Sequence, residues 1–328
     1  MKTLFLALIA VPSLVLAQNQ IALTDYAESI TPKELKENLY VYASDFFQGR
    51  ETGTIGQKRA IDFLQNFYST HEIKPAKGTD FYIQPMTLNI KGEEINTENV
   101  AAIIEGSEFP EEYIVISAHL DHVGIKDGEI YNGADDDGSG TVALLEIAEA
   151  FKMAKMQGNG PKRSLIFLHV TGEEKGLLGS KYYSENPLYS LDNTMANLNV
   201  DMIGRTDPKR TDKDPNYIYL IGADRLSQDL HDISEVANKK YTQLKIDYTF
   251  NEQDDPNRFY YRSDHYNFAK NNIPVIFYFS GTHEDYHKPG DTPDKINYDL
   301  LTKRSKLIFY TAWDLANRST KIKLNNEK

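Results

Sequence analysis

One stretch of the sequence, residues 114–140, constrains the fold more than any other. It begins with an apolar, β-branched run that ends at His119 and Asp121. It then passes through a polar loop to residues 135–137, which are all aspartate, and a Gly-Ser-Gly before a helical pattern. A buried strand with imidazole and carboxylates at its carboxyl end, followed by glycines and a helix, is typical of the crevice at the edge of an α/β sheet. Because adjacent carboxylates repel one another, the pattern predicts a bound cation, and a divalent metal is the simplest candidate.

Later segments place the same kinds of side chain after apolar strands. Glu173 and Glu174 follow one such strand, Asp201 ends another, and His287 lies in the loop after a third. Two adjacent acids at a strand-to-loop turn can face one cleft, where one binds metal and the other acts as a proton shuttle. The predicted metal ligands are His119, Asp136, Glu174, Asp201 and His287. Two imidazoles and three carboxylates suit two zinc ions with one bridging carboxylate, although the spacing alone does not assign ligands to each ion.

Strand and helix patterns alternate along the chain, which predicts an α/β fold with a mostly parallel sheet. A polar loop over 205–216 is predicted to be exposed. No internal repeat or long linker divides the chain, so a single domain over 18–328 is expected. The predicted strands are 80–90, 98–105, 113–118, 164–170, 195–200, 217–221 and 274–279, and the main predicted helices begin at Thr31 or cover 57–68, 141–156, 176–184, 227–240, 263–270 and 298–317.

Composition bears on compartment and partners. The net charge of −12 argues against nucleic acid as a partner, because a phosphate backbone requires a basic face. Residues 1–17 combine Lys2, an apolar segment and small residues at the end, which predicts a secretory signal peptide and a periplasmic or extracellular protein. We therefore expect no stable membrane insertion after cleavage; an uncleaved anchor is the alternative. The absence of cysteine excludes disulfides.

Five segments give the chain a resemblance to a known family. The sequence resembles the secreted di-zinc aminopeptidases, whose relatives include glutamate carboxypeptidase, the transferrin receptor ectodomain and the glutaminyl cyclases. The segments occur in the family's order, and the interval 81–112 is too short for the protease-associated domain that the family often carries. They are AHLDH at 118–122, GADDDGSG at 133–140, GEEKGLLGS at 172–180, NVDMIG at 199–204 and YHKPGDT at 286–292, with GRETG at 49–53 also similar.

The resemblance implies a fold and specific roles. It implies a three-layer sandwich, the zinc-exopeptidase fold, in which helices flank a central mixed and mostly parallel sheet. His119 and Asp201 would bind one zinc, and Glu174 and His287 the other, with Asp136 bridging and joined to Asp137 by a cis peptide bond. The remaining roles implied are orientation of a ligand by Asp121, general base catalysis by Glu173 and oxyanion stabilisation by Tyr286. The implied function is a metallo-aminopeptidase that hydrolyses N-terminal residues from peptides, with an unknown oligomeric state.

Several alternatives stay open. A glutaminyl cyclase usually goes with one zinc, which two complete ligand sets disfavour, and a receptor domain would lack ligands. A carboxypeptidase or dipeptidase of the same fold depends on whether Arg262 meets a substrate carboxylate. Asp264 and His265 are interpreted as lining the site or as helix caps; their neighbour Ser263 cannot form a catalytic triad with them, because adjacent residues lack the geometry. His122 is placed outside the ligand set, beside it or facing solvent, and His169 is expected to be a core residue.

Overall fold

Nine strands form one mixed sheet in the part of the chain that the computed structural model describes, residues 23–326. The predicted signal peptide, residues 1–17, lies outside these residues. A separate two-stranded hairpin, β5 and β6, lies between β4 and the aspartate triplet. The strands are β1 (Lys74–Pro75), β2 (Ile83–Ile90), β3 (Glu93–Ile104), β4 (Phe109–His119), β5 (Gly124–Lys126), β6 (Glu129–Tyr131), β7 (Arg163–Val170), β8 (Thr194–Val200), β9 (Tyr217–Ile221), β10 (Lys245–Asp247) and β11 (Val275–Phe279).

The centre of the sheet is parallel. The strand order is β1-β3-β7-β4-β8-β11-β9-β10, and β2 pairs with β3. Neighbours within β7-β4-β8-β11 run parallel, as do β9 and β10, whereas β3 meets β7 and β11 meets β9 in antiparallel register. Because parallel strands end at the same edge, the segments that follow β4, β7, β8 and β11 converge there. This topology confirms the predicted α/β class and brings the predicted ligands to one edge.

The central strands are buried on both faces. Ile114 and Ile116 of β4 belong to one apolar cluster, and Val115 between them belongs to a second. Successive residues of a strand point to opposite faces, so the two clusters lie on the two sides of the sheet. Such strands have an almost continuous apolar sequence because each side chain is covered.

Helices cover both faces, which gives the three layers that the resemblance implied. Helix α2 begins as predicted, because the Thr31 side chain accepts a hydrogen bond from Glu34 N at 3.2 Å and Pro32 stands at its first position. Residues of α2, α3, α4, α6 and α8 enter the first cluster, and those of α5 and α7 enter the second. Within residues 23–326, no helix has the length and apolarity needed to cross a bilayer. The helices are α1 (Leu23–Glu28), α2 (Pro32–Tyr42), α3 (Ile55–Thr70), α4 (Gly140–Met156), α5 (Leu178–Glu185), α6 (Gln228–Ala237), α7 (His265–Ala269) and α8 (Tyr298–Asn317).

The loop over 205–216 differs from its prediction. Asp207 and Arg210 are buried, so the expectation of an exposed loop is wrong for both residues. Asp207 accepts a hydrogen bond from the Tyr219 hydroxyl at 3.2 Å. The Arg210 guanidinium lies 3.7 Å from the ring centre of Tyr217 and pairs with Asp247. Aromatic residues of β9 thus bury charged residues that composition alone assigns to solvent.

Candidate metal centre

The carboxyl edge of the central strands carries four of the predicted ligands. His119 is the last residue of β4, Asp201 follows the last residue of β8, and Glu174 lies in the turn after β7. His287 reaches the same place from the loop after β11. These positions follow from parallel pairing, which sets the strand ends side by side.

Asp136 lies between two imidazoles. Its Oδ1 is 3.1 Å from His119 Nε2, and its Oδ2 is 3.1 Å from His287 Nε2. On the first side, Asp201 Oδ1 is 3.7 Å from His119 Nε2. On the second side, Glu174 Oε2 is 3.2 Å from His287 Nε2. All five predicted ligands therefore meet in one cluster with Asp136 at its centre.

The chemistry of this cluster fits bound cations. Asp136 Oδ2 and Glu174 Oε1 are buried, and neither has a hydrogen-bond partner among the residues that the structure describes. Imidazole nitrogens lie 3.1 Å from the first oxygen and 2.9 Å from the second without hydrogen-bond geometry. Close approach without a hydrogen bond is typical of atoms that bind one ion, and unpartnered buried polar atoms are otherwise rare.

The electrostatics of the metal-free cluster agree with this fit. Burial alone would raise the pKa of Asp136, but the surrounding imidazoles, His122 foremost, hold it well below its usual range. At Glu174, burial and the nearby charge of Asp136 raise the pKa. The imidazoles of His122 and His287 lower it more, to about 2. The carboxylates in turn outweigh burial at His287 and raise its pKa to about 10. Such a concentration of mutually dependent charges is typical of a functional site.

Asp137 supports the ligands instead of joining them. Its Oδ2 accepts a hydrogen bond from His119 N at 3.1 Å, and its Oδ1 accepts from Gly140 N at 2.9 Å and Met202 N at 3.2 Å. It therefore joins the end of β4, the start of α4 and the segment after β8. The peptide bond between Asp136 and Asp137 is cis, as the resemblance implied. The sequence analysis named Asp137 only as the partner of Asp136 in that peptide bond.

A second set of buried charges holds the aspartate loop. Asp291 accepts hydrogen bonds from Asp135 N at 3.0 Å and Asp136 N at 3.1 Å. Asp135 accepts one from Gly204 N at 2.6 Å, and its other oxygen lies 3.4 Å from His283 Nε2. The sequence showed His283 and Asp291 in the loop after β11 but gave them no role, because their partners are about 150 residues away along the chain.

Asp121 connects the first imidazole to the predicted base. His119 Nδ1 lies 3.0 Å from the backbone carbonyl of Asp121 and 3.9 Å from its carboxylate. That carboxylate accepts hydrogen bonds from Glu173 N at 3.2 Å and the Thr52 hydroxyl at 2.8 Å. The contact with Thr52 explains why the GRETG segment lies beside this site. Asp121 thus orients His119 through its backbone and Glu173 through its side chain.

Glu173 and Tyr286 face a pocket beside the ligands. Burial is the largest of the effects that raise the pKa of Glu173 well above its usual range, and Asp264 and Asp201 add to it. Burial also raises the pKa of Tyr286, whose ring stacks on His287 with centroids 3.9 Å apart. We call this space the metal pocket; its lining comprises His119, Asp136, Glu173, Asp201, Met202, Phe259, Arg262, Phe277, Phe279, Thr282 and Tyr286.

The residues with open roles fall in different places. Arg262 lines the metal pocket and is exposed. Asp264 is buried, accepts a hydrogen bond from Ser180 and does not cap α7, and burial first of all raises its pKa to about 7. His265 is buried and stacks on Phe277, with ring centroids 4.8 Å apart, so it belongs to the core behind the pocket.

Two further histidines were interpreted from the sequence. His169 is in the core, where its Nε2 pairs with the Tyr68 hydroxyl at 2.7 Å, and burial lowers its pKa to about 3. His122 is fully buried, and its Nδ1 lies 2.9 Å from Glu174 Oε1. The solvent-facing alternative for His122 is therefore wrong, and the residue adjoins the ligand set.

The α/β sandwich and this cluster are typical of metal-dependent hydrolases with the zinc-exopeptidase fold. A family model described as "Peptidase family M28" matches residues 99–312, and the chain belongs to this family. Two curated relatives have informative names. One is a probable zinc metalloprotease of Pyricularia oryzae, 24% identical over 269 residues, covering 70% of this chain and 52% of its own length. The other is a probable leucine aminopeptidase of Trichophyton verrucosum, 29% identical over 226 residues, with 66% and 57% covered.

The chain spans about half the length of the curated relatives that it matches. Its fold is shared with solved structures, among them a glutaminyl cyclase of Porphyromonas gingivalis. That structure is 19% identical with a TM-score of 0.68, and the match covers 86% of this chain and 97% of the cyclase. The family match places the chain among the peptidases of family M28, and the solved structures show its fold.

Proposed function

We propose that this protein is a metallo-aminopeptidase that holds two zinc ions and releases N-terminal residues from peptides. The observation that carries the proposal is the position of Asp136, each of whose oxygens lies 3.1 Å from a different imidazole. His119 and Asp201 would hold one ion, and Glu174 and His287 the other. The name of the Trichophyton relative also supports the choice of aminopeptidase.

The residues of the pocket support a hydrolytic mechanism. When bound, two zinc ions supply Lewis acidity and lower the pKa of a water molecule. Glu173 would accept a proton from the attacking water as the water oxygen bonds to the scissile carbonyl carbon. It would then donate that proton to the leaving amine as the C–N bond breaks. The backbone of Glu173 is held by Asp121, which keeps the carboxylate beside the ligands. The Tyr286 hydroxyl lines the same pocket and is proposed to donate a hydrogen bond to the developing oxyanion.

The test combines metal analysis with a substrate panel. The purified protein should contain two zinc ions per chain and lose activity on exhaustive chelation. It should release the first residue from peptides with a free α-amino group and leave matched N-acetylated peptides intact. Equal cleavage of free and acetylated peptides would contradict an aminopeptidase, and full activity after chelation would contradict the metal mechanism.

Two other activities of the fold can be separated in the same panel. Arg262 lines the metal pocket and makes no ion pair among the described residues, so a carboxypeptidase would use it to bind a substrate carboxylate. Amidated peptides would then resist cleavage. The second alternative is a glutaminyl cyclase, which the shared fold of the Porphyromonas protein suggests. Such an enzyme would convert N-terminal glutamine to pyroglutamate with loss of ammonia. Released glutamine would instead support the aminopeptidase.

We also propose that the protein is exported from the cytoplasm and that its signal peptide is cleaved. The basic and apolar pattern of residues 1–17 supports export, followed by a single catalytic domain that begins at Gln18. N-terminal sequencing of protein recovered from a secreting host should then start at or near Gln18. Recovery of a chain that starts at Met1 would contradict cleavage.

A further inference from the structure

We propose that His122 is a sixth protein ligand of the metal centre and binds, through Nδ1, the same ion as Glu174 and His287. This inference rests on the proposed two-zinc function and adds a residue to it. The two imidazoles would lie on either side of the Glu174 carboxylate. His122 Nδ1 is 2.9 Å from Glu174 Oε1, and His287 Nε2 is 3.2 Å from Glu174 Oε2.

The first support is the convergence of three donor atoms. His122, Asp136 and Glu174 each offer one ligand atom, and these atoms lie within 4.8 Å of one another. The distance from His122 Nδ1 to Asp136 Oδ2 is 3.7 Å. Zinc bonds of about 2.0–2.2 Å place neighbouring ligand atoms roughly 3–4 Å apart, and zinc in catalytic sites can take a fifth ligand such as water, so these separations are those of neighbouring ligands.

The second support is the lack of hydrogen bonds. His122 Nδ1, Asp136 Oδ2 and Glu174 Oε1 are all buried and have no hydrogen-bond partner among residues 23–326. The ring nitrogen and the Glu174 oxygen are close enough to bond but are not aimed at each other. His169 provides the contrast, because it is equally buried but its Nε2 pairs with a tyrosine hydroxyl. A cation between the three atoms of the cluster would satisfy them together.

The third support is how the backbone holds the ring in place. His122 N donates a hydrogen bond to Arg50 O at 3.3 Å. Gly133, with φ of +55°, lies directly against the ring: a Cβ there would come within 2.5 Å of His122 Cγ and 2.2 Å of Asp136 O. Only glycine at this position lets the imidazole approach the loop that carries Asp136. The ring is thus fixed against the ligand loop rather than free in a solvent channel.

The proposal makes the two halves of the centre chemically unequal. The ion beside Glu174 would have two imidazoles, whereas the ion beside Asp201 would have one. Imidazole favours zinc over manganese or magnesium. The ion beside Glu174 should therefore be the more selective of the two for zinc.

The experiment measures zinc affinity of the full protein by competition with a chelating dye, using zinc chloride as the only added metal. The His122→Ala variant should bind one of its two zinc ions about 100-fold more weakly, the upper end of the loss seen when even an outer partner of a ligand is removed. The His122→Asn variant places an amide near the position of Nδ1. If His122 only donated a hydrogen bond to Glu174, this amide would restore the affinity, and such rescue would overturn the proposal.

A control and a direct measurement complete the test. The His169→Asn variant removes a buried histidine outside the cluster and should leave both zinc affinities unchanged. If the His122 variants do not fold, a crystal structure of the zinc-loaded wild type decides, with an expected Nδ1–zinc distance of about 2.0–2.1 Å. A distance beyond about 3 Å, or wild-type affinity in His122→Ala, would overturn the inference while the two-zinc function stands. Failure of the wild type to bind zinc would instead overturn both.

Discussion

The two halves of the metal centre are built differently. The half with His119 and Asp201 is carried by the ends of central strands, and these side chains are 1% and 10% exposed. The half with Glu174 and His287 is carried by turns and loops, and these side chains are 9% and 39% exposed. Backbone pairing places the first half at the strand ends without help from a metal. We therefore expect a centre that combines a preformed site with one that bound metal helps to organise.

The residue that joins the halves should give the largest effect. In Asp136→Asn one of the two carboxylate oxygens becomes an amide nitrogen, which cannot bind a cation. We expect loss of both zinc ions from the purified protein and activity below detection. Metal analysis after dialysis checks this. If one ion stayed at wild-type affinity, the two halves would be independent and Asp136 would not bridge them.

The second-largest effect should be a loss of catalytic rate without a loss of metal. Glu173→Gln keeps the size of the side chain but removes the proton acceptor, so kcat should fall about 10²–10⁴-fold, the usual contribution of a general base. Both zinc ions should remain, because Glu173 is not in either half of the ligand set. Steady-state kinetics and metal analysis of the same preparation measure both quantities.

Glu146→Gln is the matched control for that variant. Glu146 is also a buried glutamate, in α4, where it accepts a hydrogen bond from Asn38 at 2.9 Å. Its replacement should leave kcat unchanged. A near-normal rate in Glu173→Gln would remove the assignment of Glu173 as the base.

The Ser263→Ala variant tests only the half of the centre that contains His119 and Asp201. The Ser263 hydroxyl donates a hydrogen bond to Asp201 Oδ2 at 2.6 Å and accepts one from Asn199 Nδ2 at 2.8 Å. This contact leaves Asp201 Oδ1 to face His119. Ser263→Ala should weaken one zinc ion about 10–100-fold, the usual cost of losing the partner of a ligand. Dye competition measures the change.

The control for Ser263→Ala is Ser305→Ala. Ser305 is also buried, but its hydroxyl bonds to Leu301 O within α8. The Ser305→Ala variant should bind both zinc ions with wild-type affinity. Equal weakening of both ions in Ser263→Ala would show that the two halves are not separable in the way their structures suggest.

The contrast between the halves also explains what the sequence could predict. The ends of β4 and β8 were predictable because an apolar run followed by His119 or Asp201 is a local pattern, and parallel pairing then brings such ends together. The approach of His122 to Glu174 was not predictable, since it depends on the contact of an imidazole with Gly133, eleven positions further along the chain. The fold class needed only alternation of strands and helices.

Contacts between residues far apart in the sequence could not be predicted from local patterns. Nothing near Asp291 in the sequence indicates that it accepts hydrogen bonds from the aspartate loop. The burial of Arg210 likewise depends on aromatic partners in β9. In both cases the partner is brought close only by the folded chain, so local sequence does not reveal the contact.

The last predicted effect is a dependence of zinc binding on pH. Both halves should contribute, because Asp136 and Asp201 also raise the pKa of His119 well above its usual range despite its burial. In the metal-free protein, burial lowers the pKa of His287, but Asp136 and Glu174 raise it more, to about 10. Zinc must therefore displace a proton at neutral pH, and affinity should rise with pH by up to about tenfold per unit for each proton released.

The ordinary pKa of the unfolded imidazole is about 6.5. The proton on folded His287 thus stabilises the metal-free protein fully below pH 6.5, and this stability is lost as pH rises towards 10. The difference in Tm between zinc-loaded and chelated protein should widen from pH 6.5 to pH 8.5, which calorimetry at matched ionic strength measures. A difference that stayed constant or narrowed would show that zinc meets no competing proton at these imidazoles.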